Sequence, residues 1–258
     1  MIDIGKWAGY LLDAEARAEA VAPITDVDPT LSLEDAYHIQ DEVLARRLAA
    51  GEQLVGAKLG LTSRAKQQSM GVHEPIYAWL THRMVVPLEA PLAVGDLIHP
   101  RAEPEIVFLL GRELAGPGVT AQSVLDATAC VCCGLEVIDS RYADFRFTLP
   151  DVVADNASSA RFTLGSRRLT VDFDLRLEGC LLEVDGEIVA TATGAAALGH
   201  PAEAVAMLAN ALALRGRQLE AGWIVLAGGL TDAVPLTPGR YVDANFARLG
   251  HVGIRVAA

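Results

Sequence analysis

The sequence has 258 residues, long enough for one large domain or two small ones with ample core. With 52% hydrophobic and 21% charged residues it describes a compact globular chain and excludes a disordered one. A formal net charge of −12 weighs against nucleic acid or an anionic membrane as partner, though a small anion still answers to the local field of its pocket.

The N-terminal stretch MIDIGKWAGYLLDAEARAEA carries acids within its apolar run and no basic lead, so it does not read as a signal peptide. No apolar run reaches membrane-spanning length, and a cytoplasmic location is expected. Residues 6–22 have helical apolar spacing, and LSLEDAYHIQDEVLARRLAAGE predicts a second helix. There Ser32 stands as cap, Asp35 at the capping-box position and Gly51 as stop. Ala36, Ile39, Val43, Leu44 and Leu48 fall on one stripe. Residues 1–50 therefore read as a helical N-terminal portion and 51–258 as a single strand-rich body.

From LVGAKLGLTS onward, short apolar runs are punctuated by Gly and Pro. Strands are expected at DLIHP (96–100), EIVFLLG (105–111), CVCCGLEVID (130–139), 175–194, WIVLAGGL (223–230) and VGIRVAA (252–258). Asp185-Gly186 predicts a type I′ hairpin turn. A helix is expected from Pro201, with Val205, Leu208 and Leu212 on its apolar stripe and Gly216 at its end. Helices followed by strands with one inserted helix predict an α+β fold with a closed or folded antiparallel sheet. No dinucleotide or Walker motif points to a doubly wound one.

Three acids stand in apolar strand-like runs. Glu103 and Glu105 are two apart, so an extended backbone puts both on one face, and Glu136 can complete the set. Buried charges need pairing or coordination, and an all-oxygen set favours Mg²⁺ or Mn²⁺ over zinc. The alternative is that these acids face solvent or pair with Arg101, Arg112 and Arg141. Lys58, between Gly56 and Gly60, is either a buried group for a carboxylate or oxyanion or a snorkelling surface lysine. DVVADNASSARF (151–162) reads as a polar surface loop or as an oxyanion site, and Gly228-Gly229 before Thr231 as an anion approach or an ordinary turn. Cys130, Cys132, Cys133 and Cys180 match no zinc or disulfide pattern and are expected to be free. His73, His99 and His200 lack a metal-ligand spacing, and there is no G-x-S-x-G elbow.

Taken together, KLGLTS, MGVHEPIYAWL, RAEPEIVFLL, GPGVT, LEVIDSRYADFRFTLPDVVADNASSARF, GAAALGHPAEAVAMLAN and AGGLTDAVPLTPG resemble the hydratase/decarboxylase branch of the fumarylacetoacetate hydrolase superfamily, over residues 30–255. The resemblance implies a mixed β-roll with a helical N-terminal portion, an Mg²⁺ or Mn²⁺ ion and a homo-oligomer. It also implies small 2-oxo acid substrates from the meta-cleavage degradation of aromatic compounds. Glu103, Glu105 and Glu136 match the family's metal carboxylates and Lys58 its active-site lysine, while Ser158 and Thr231 lie in pocket-lining blocks.

Two family activities compete: hydration of 2-hydroxypenta-2,4-dienoate, and the decarboxylation of 2-oxo-3-hexenedioate that produces it. Hydratases typically carry PDYG or PDFG where this sequence has Pro75-Ile76-Tyr77-Ala78. Ile76 removes a candidate proton donor and supplies an apolar wall, which suits decarboxylation. SRYADFRF and Arg161 also look like the decarboxylase branch, with Arg141 or Arg161 expected to orient the distal carboxylate loosely or to lie out of direct contact with it. A complex with the pathway hydratase is implied as well. A fumarylpyruvate-type hydrolase and a non-catalytic partner subunit remain as further alternatives.

Overall fold

A computed structural model describes residues 2–62, 75–88 and 90–258, so His73 lies outside the described residues. The chain opens with α1 (Ile4–Arg17), whose Asp3 carboxylate accepts from Lys6 N at 2.9 Å. A short α2 (Ile24–Val27) and the long α3 (Leu33–Ala49) follow. Ser32 caps α3, its hydroxyl accepting from Asp35 N at 3.0 Å. The apolar stripe of α3 is shorter than expected, because Leu48 is 39% exposed while Ala36, Ile39, Val43 and Leu44 are buried. Trp7, Leu11, Ile39 and Val43 share a core with Ile76, Val152 and Val153, so these helices pack directly onto the strand-rich body.

Among the described residues seven strands form the principal sheet. Its order is β2 (Ile76–Thr81), β1 (Leu54–Gly60), β8 (Ile224–Leu226), β3 (Arg101–Leu110), β4 (Thr128–Ile138) and β5 (Ser159–Leu164), with β9 (Val234–Pro235) paired to β3. Only β1 with β8 is parallel among these pairs. A second, antiparallel sheet runs β11 (Gly250–Arg255), β10 (Tyr241–Phe246), β6 (Gly179–Val184) and β7 (Glu187–Thr193). Asp185 and Gly186 join β6 to β7 with φ of 52° and 83°, the positive pair a type I′ turn requires. Phe108, Val131 and Leu135 meet Leu182, Val242 and Ile254 in the core between the sheets. Helix α4 (Ala121–Ala127) packs against α6 (Pro201–Ala213), which buries Val205, Leu208 and Leu212. The result is an α+β fold, a mixed β-roll with a helical N-terminal portion.

Two local expectations change. DLIHP is a bend: Ile98 N and His99 N donate to the Asp139 carboxylate at 2.9 and 2.7 Å, taking the place of a strand partner. DVVADNASSARF is a buried passage from α5 (Leu149–Ala154) through a turn into β5, with Asp151, Asp155, Ser158 and Ser159 all buried.

Candidate metal and active site

The sheet register brings the three acids together. Glu103 on β3 lies opposite Glu136 on β4, and the period of two places Glu105 on the same face. One carboxylate oxygen from each lies within 4.8 Å of the other two. Glu105 and Glu136 are fully buried and Glu103 is half-buried. The Gly-Gly pair allows this closeness. Gly228 N donates to Glu105 Oε2 at 2.6 Å with φ +106°, and a Cβ on Gly229 would sit 2.0 Å from Glu103 Oε2.

Lys58 enters from β1 as a buried cation. Its Nζ lies 3.0 and 3.2 Å from the two Glu136 oxygens and donates to the Ala157 carbonyl at 2.8 Å. Ser159 Oγ donates to Glu136 Oε1 at 2.9 Å. Glu136 is thus well served, but Glu105 Oε1 is buried with no hydrogen-bond partner among the described residues. Burial, and then the charge of Glu136, hold the Glu105 carboxyl well above the usual carboxylate range, against the pull of Lys58. An orphaned oxygen in a cluster of three carboxylates is the donor set of a hard divalent cation, so these residues fit such an ion.

The cluster opens on a cavity of about 180 Å³. Lys58, Glu103 and Ser158 line it together with an apolar wall of Ile76, Phe145, Phe147 and Val152. Phe145 is held at φ +53°, with the Arg101 guanidinium 4.3 Å over its ring and the His99 ring 4.5 Å away. A larger groove of about 590 Å³ beside Trp79, Arg217 and Trp223 contains none of the predicted site residues.

Ile76 and Ser158 therefore reach the cavity, Ser158 with its hydroxyl 3.3 Å from Asp155 Oδ2. Three others do not. Arg141 is buried and committed: its guanidinium donates to the Asp155 carboxylate and carbonyl and, at 3.3 Å, to the Ser159 carbonyl. Arg161 donates to the neighbouring Ala160 carbonyl at 2.9 Å, and Thr231 to the Asp232 carbonyl at 2.9 Å; neither lines the cavity. The pairing alternative also falls for Arg112, which donates to the Asp126 carbonyl. The anion approach expected of Gly228-Gly229 is met by the Gly228 amide on Glu105, whereas sequence reasoning singled out neither Ser159 as a partner of Glu136 nor the Phe145–Phe147 wall. Ser159 and both phenylalanines stood inside quoted motifs, but only the sheet register and the turns decide which side chains face inward. The four cysteines are free, and burial pushes Cys132 and Cys133 up to about 12 and about 11, which leaves them inert as nucleophiles.

No family model matches the chain. Among curated proteins it is 44% identical to a 4-oxalocrotonate decarboxylase of Pseudomonas sp. (strain CF600), over 96% of this chain and 94% of that protein. It is 46% identical to a 2-hydroxypent-2,4-dienoate hydratase of Pseudomonas putida, over 81% of this chain and 95% of that one. Among solved structures, 4-oxalocrotonate decarboxylase from Pseudomonas putida G7, complexed with magnesium and adipate, matches with a TM-score of 0.96 at 41% identity, covering 98% of this chain and 97% of that one. The chain belongs to the hydratase/decarboxylase family of the fumarylacetoacetate hydrolase superfamily. A fumarylpyruvate hydrolase from Pseudomonas aeruginosa, with a TM-score of 0.61 at 17% identity, shares the fold alone.

Proposed function

We propose that this protein is a divalent-metal-dependent carboxy-lyase that converts 2-oxo-3-hexenedioate to 2-hydroxypenta-2,4-dienoate and CO₂ in meta-cleavage degradation of aromatic compounds. The observation that carries the reading is the Glu103–Glu105–Glu136 cluster opening on a cavity that pairs Lys58 and Ser158 with an apolar wall of Ile76, Phe145, Phe147 and Val152. The magnesium and adipate bound by the 41%-identical relative support it, adipate being a six-carbon dicarboxylate like the substrate.

Glu103, Glu105 and Glu136 would hold Mg²⁺ or Mn²⁺. Such an ion, when bound, supplies Lewis-acid stabilisation of negative charge on oxygen, worth several kcal/mol of barrier. In the reaction the C5–C6 bond breaks and C6 leaves as CO₂. Its electron pair forms C4=C5, the C3=C4 pair moves to C2=C3, and the 2-oxo oxygen takes the charge. Lys58 is placed to answer that charge. An ammonium has three protons, and Glu136 and Ala157 use two directions, which leaves one N–H for an oxyanion or for delivery of a proton. Ser158 offers a hydroxyl at the same wall.

Ile76, Phe145, Phe147 and Val152 act on the other carboxylate. An apolar wall solvates an ionised carboxylate poorly and neutral CO₂ well, so it favours departure. Arg141 is committed to Asp155 and Arg161 does not line the cavity, which suits a site that must release this group rather than grip it.

The same reading includes a cytoplasmic homo-oligomer and a complex with the pathway's hydratase. The exposed Leu177, Ile188 and Val189 around the β6–β7 hairpin support assembly. Among the described residues no helix is long and apolar enough to cross a membrane. The runner-up is hydration of 2-hydroxypenta-2,4-dienoate at the same site, favoured by the 46% identity to a hydratase. Ultraviolet absorbance and product analysis separate them. Metal-dependent CO₂ release from 2-oxo-3-hexenedioate, with little consumption of 2-hydroxypenta-2,4-dienoate, is expected. Water addition to the latter alone would establish the hydratase instead, and EDTA should abolish either activity.

A further inference from the structure

Asn156, Ala157 and Ser158 occupy three consecutive left-handed backbone positions, with φ of 49°, 48° and 56°, and none is glycine. L-residues visit that region singly, so a run of three persists only where the surroundings over-determine it, typically at a functional site. The determinant here is Asn156. Its side-chain Oδ1 accepts from Trp79 N at 2.9 Å and its Nδ2 donates to Trp79 O at 3.0 Å, so one amide takes both main-chain groups of a residue on the edge strand β2. A further bond, Asp139 N to Ser158 O at 2.7 Å, fixes the far end of the turn.

These contacts close a ring. Lys58 on β1 lies opposite Ala78 on β2; Trp79, the next residue, grips Asn156; and Ala157, next after Asn156, receives Lys58 Nζ on its carbonyl at 2.8 Å. The ammonium is therefore held from two sides, by Glu136 and by a carbonyl that points inward only while the turn stays left-handed. We infer that Asn156 is the positioning residue for Lys58: its two hydrogen bonds to β2 hold the strained turn that aims the Ala157 carbonyl, and so the lysine, at the carboxylate cluster. The claim rests on the proposed role of Lys58 for its catalytic consequence, but not for its geometry.

Two readouts keep those apart. The chain has three lysines, Lys6, Lys58 and Lys66, so peptide-resolved reductive methylation reports Lys58 against Lys6 within one sample. In Asn156→Ala, Lys58 should react about fivefold faster relative to Lys6 than in wild type, as its tether loosens. kcat on 2-oxo-3-hexenedioate should fall roughly tenfold or more, with KM moving far less, as a misplaced group costs rate before binding. The double variant Asn156→Ala/Ala157→Gly separates positioning from stability, since glycine accepts a left-handed backbone without strain. It should recover the thermal midpoint lost in the single variant but not kcat or Lys58 protection. If the single variant does not fold, the double variant carries the test. Wild-type Lys58 reactivity in a folded variant lacking Asn156, or recovery of kcat together with the midpoint, would overturn the assignment. If wild type turns over no 2-oxo acid, the proposed function fails while the methylation result still decides the geometry.

Discussion

Asp139, Asp151 and Asp155 are buried as deeply as Glu105 and Glu136, yet each of their oxygens meets a donor. Asp139 takes Ile98 N and His99 N. Asp151 takes the amides and hydroxyls of Thr25 and Thr148. Asp155 takes the Arg141 guanidinium and amide and the Ser140 and Ser158 hydroxyls. On the glutamate side Lys58 and Ser159 serve Glu136, and Glu105 Oε1 has no partner among the described residues. Buried carboxylates of the first kind tie loops together. Those of the second kind are costly unless something else completes them, which is the reason to look for a cation there and not at the aspartates.

The largest effect should come from Glu105→Gln, which keeps the shape and removes the charge. kcat/KM for CO₂ release should fall by about a thousandfold or more, with an unchanged far-ultraviolet dichroism spectrum. Arg141→Ala tests the opposite half of the contrast. It strands Asp155 without its main partner and should cost about 3–5 kcal/mol of stability in urea unfolding. The kcat of its folded fraction should change far less than that of the glutamate variant. Equal activity losses in both variants would erase the distinction between the two sets.

Metal dependence gives a smaller effect with a definite sign. At roughly a hundred times its dissociation constant, Mg²⁺ should stabilise wild type by about 2.7 kcal/mol, and Glu105→Gln hardly at all. The Glu105 carboxyl is raised from its ordinary 4.5, so the metal-free fold keeps a proton that the unfolded chain has already released. That stabilisation is complete below about pH 4.5 and is lost as pH rises through the folded-state titration. A bound cation displaces the proton, so metal stabilisation should grow over the same range, as thermal midpoints with and without EDTA would record. Smallest of all, Ile76→Asp adds an acid to the apolar wall and should slow decarboxylation about tenfold while leaving metal affinity near wild type. Gain of dienoate hydration in that variant would tie the hydratase alternative to this one position.

Much of this contrast was legible in sequence, and its gaps have physical causes. Period two alone put Glu103 and Glu105 on one face, but their meeting with Glu136 depends on the β3–β4 register, which no local pattern encodes. Long apolar periodicity showed α1, α3 and α6, and the apolar runs showed β3, β4 and β6. Strands β1, β2, β5, β9 and β10 were passed over: β5 begins inside a polar segment, and β10 alternates Val242, Ala244 and Phe246 with polar residues. DLIHP misled because a distant carboxylate satisfies its amides. The resemblance drew attention to Arg141 and Arg161, but it does not say that the buried Asp155 claims the Arg141 guanidinium or that Arg161 lies off the cavity. Asn156 was invisible for the same reason, since its role lies in backbone groups 77 residues away.

The most direct test is calorimetric titration of Mn²⁺ into EDTA-stripped wild type and into Glu105→Gln, with no substrate present. The account predicts one site per chain in wild type, with protons released on binding, and loss of that site in the variant. Unchanged binding in Glu105→Gln, or none in folded wild type, would contradict it.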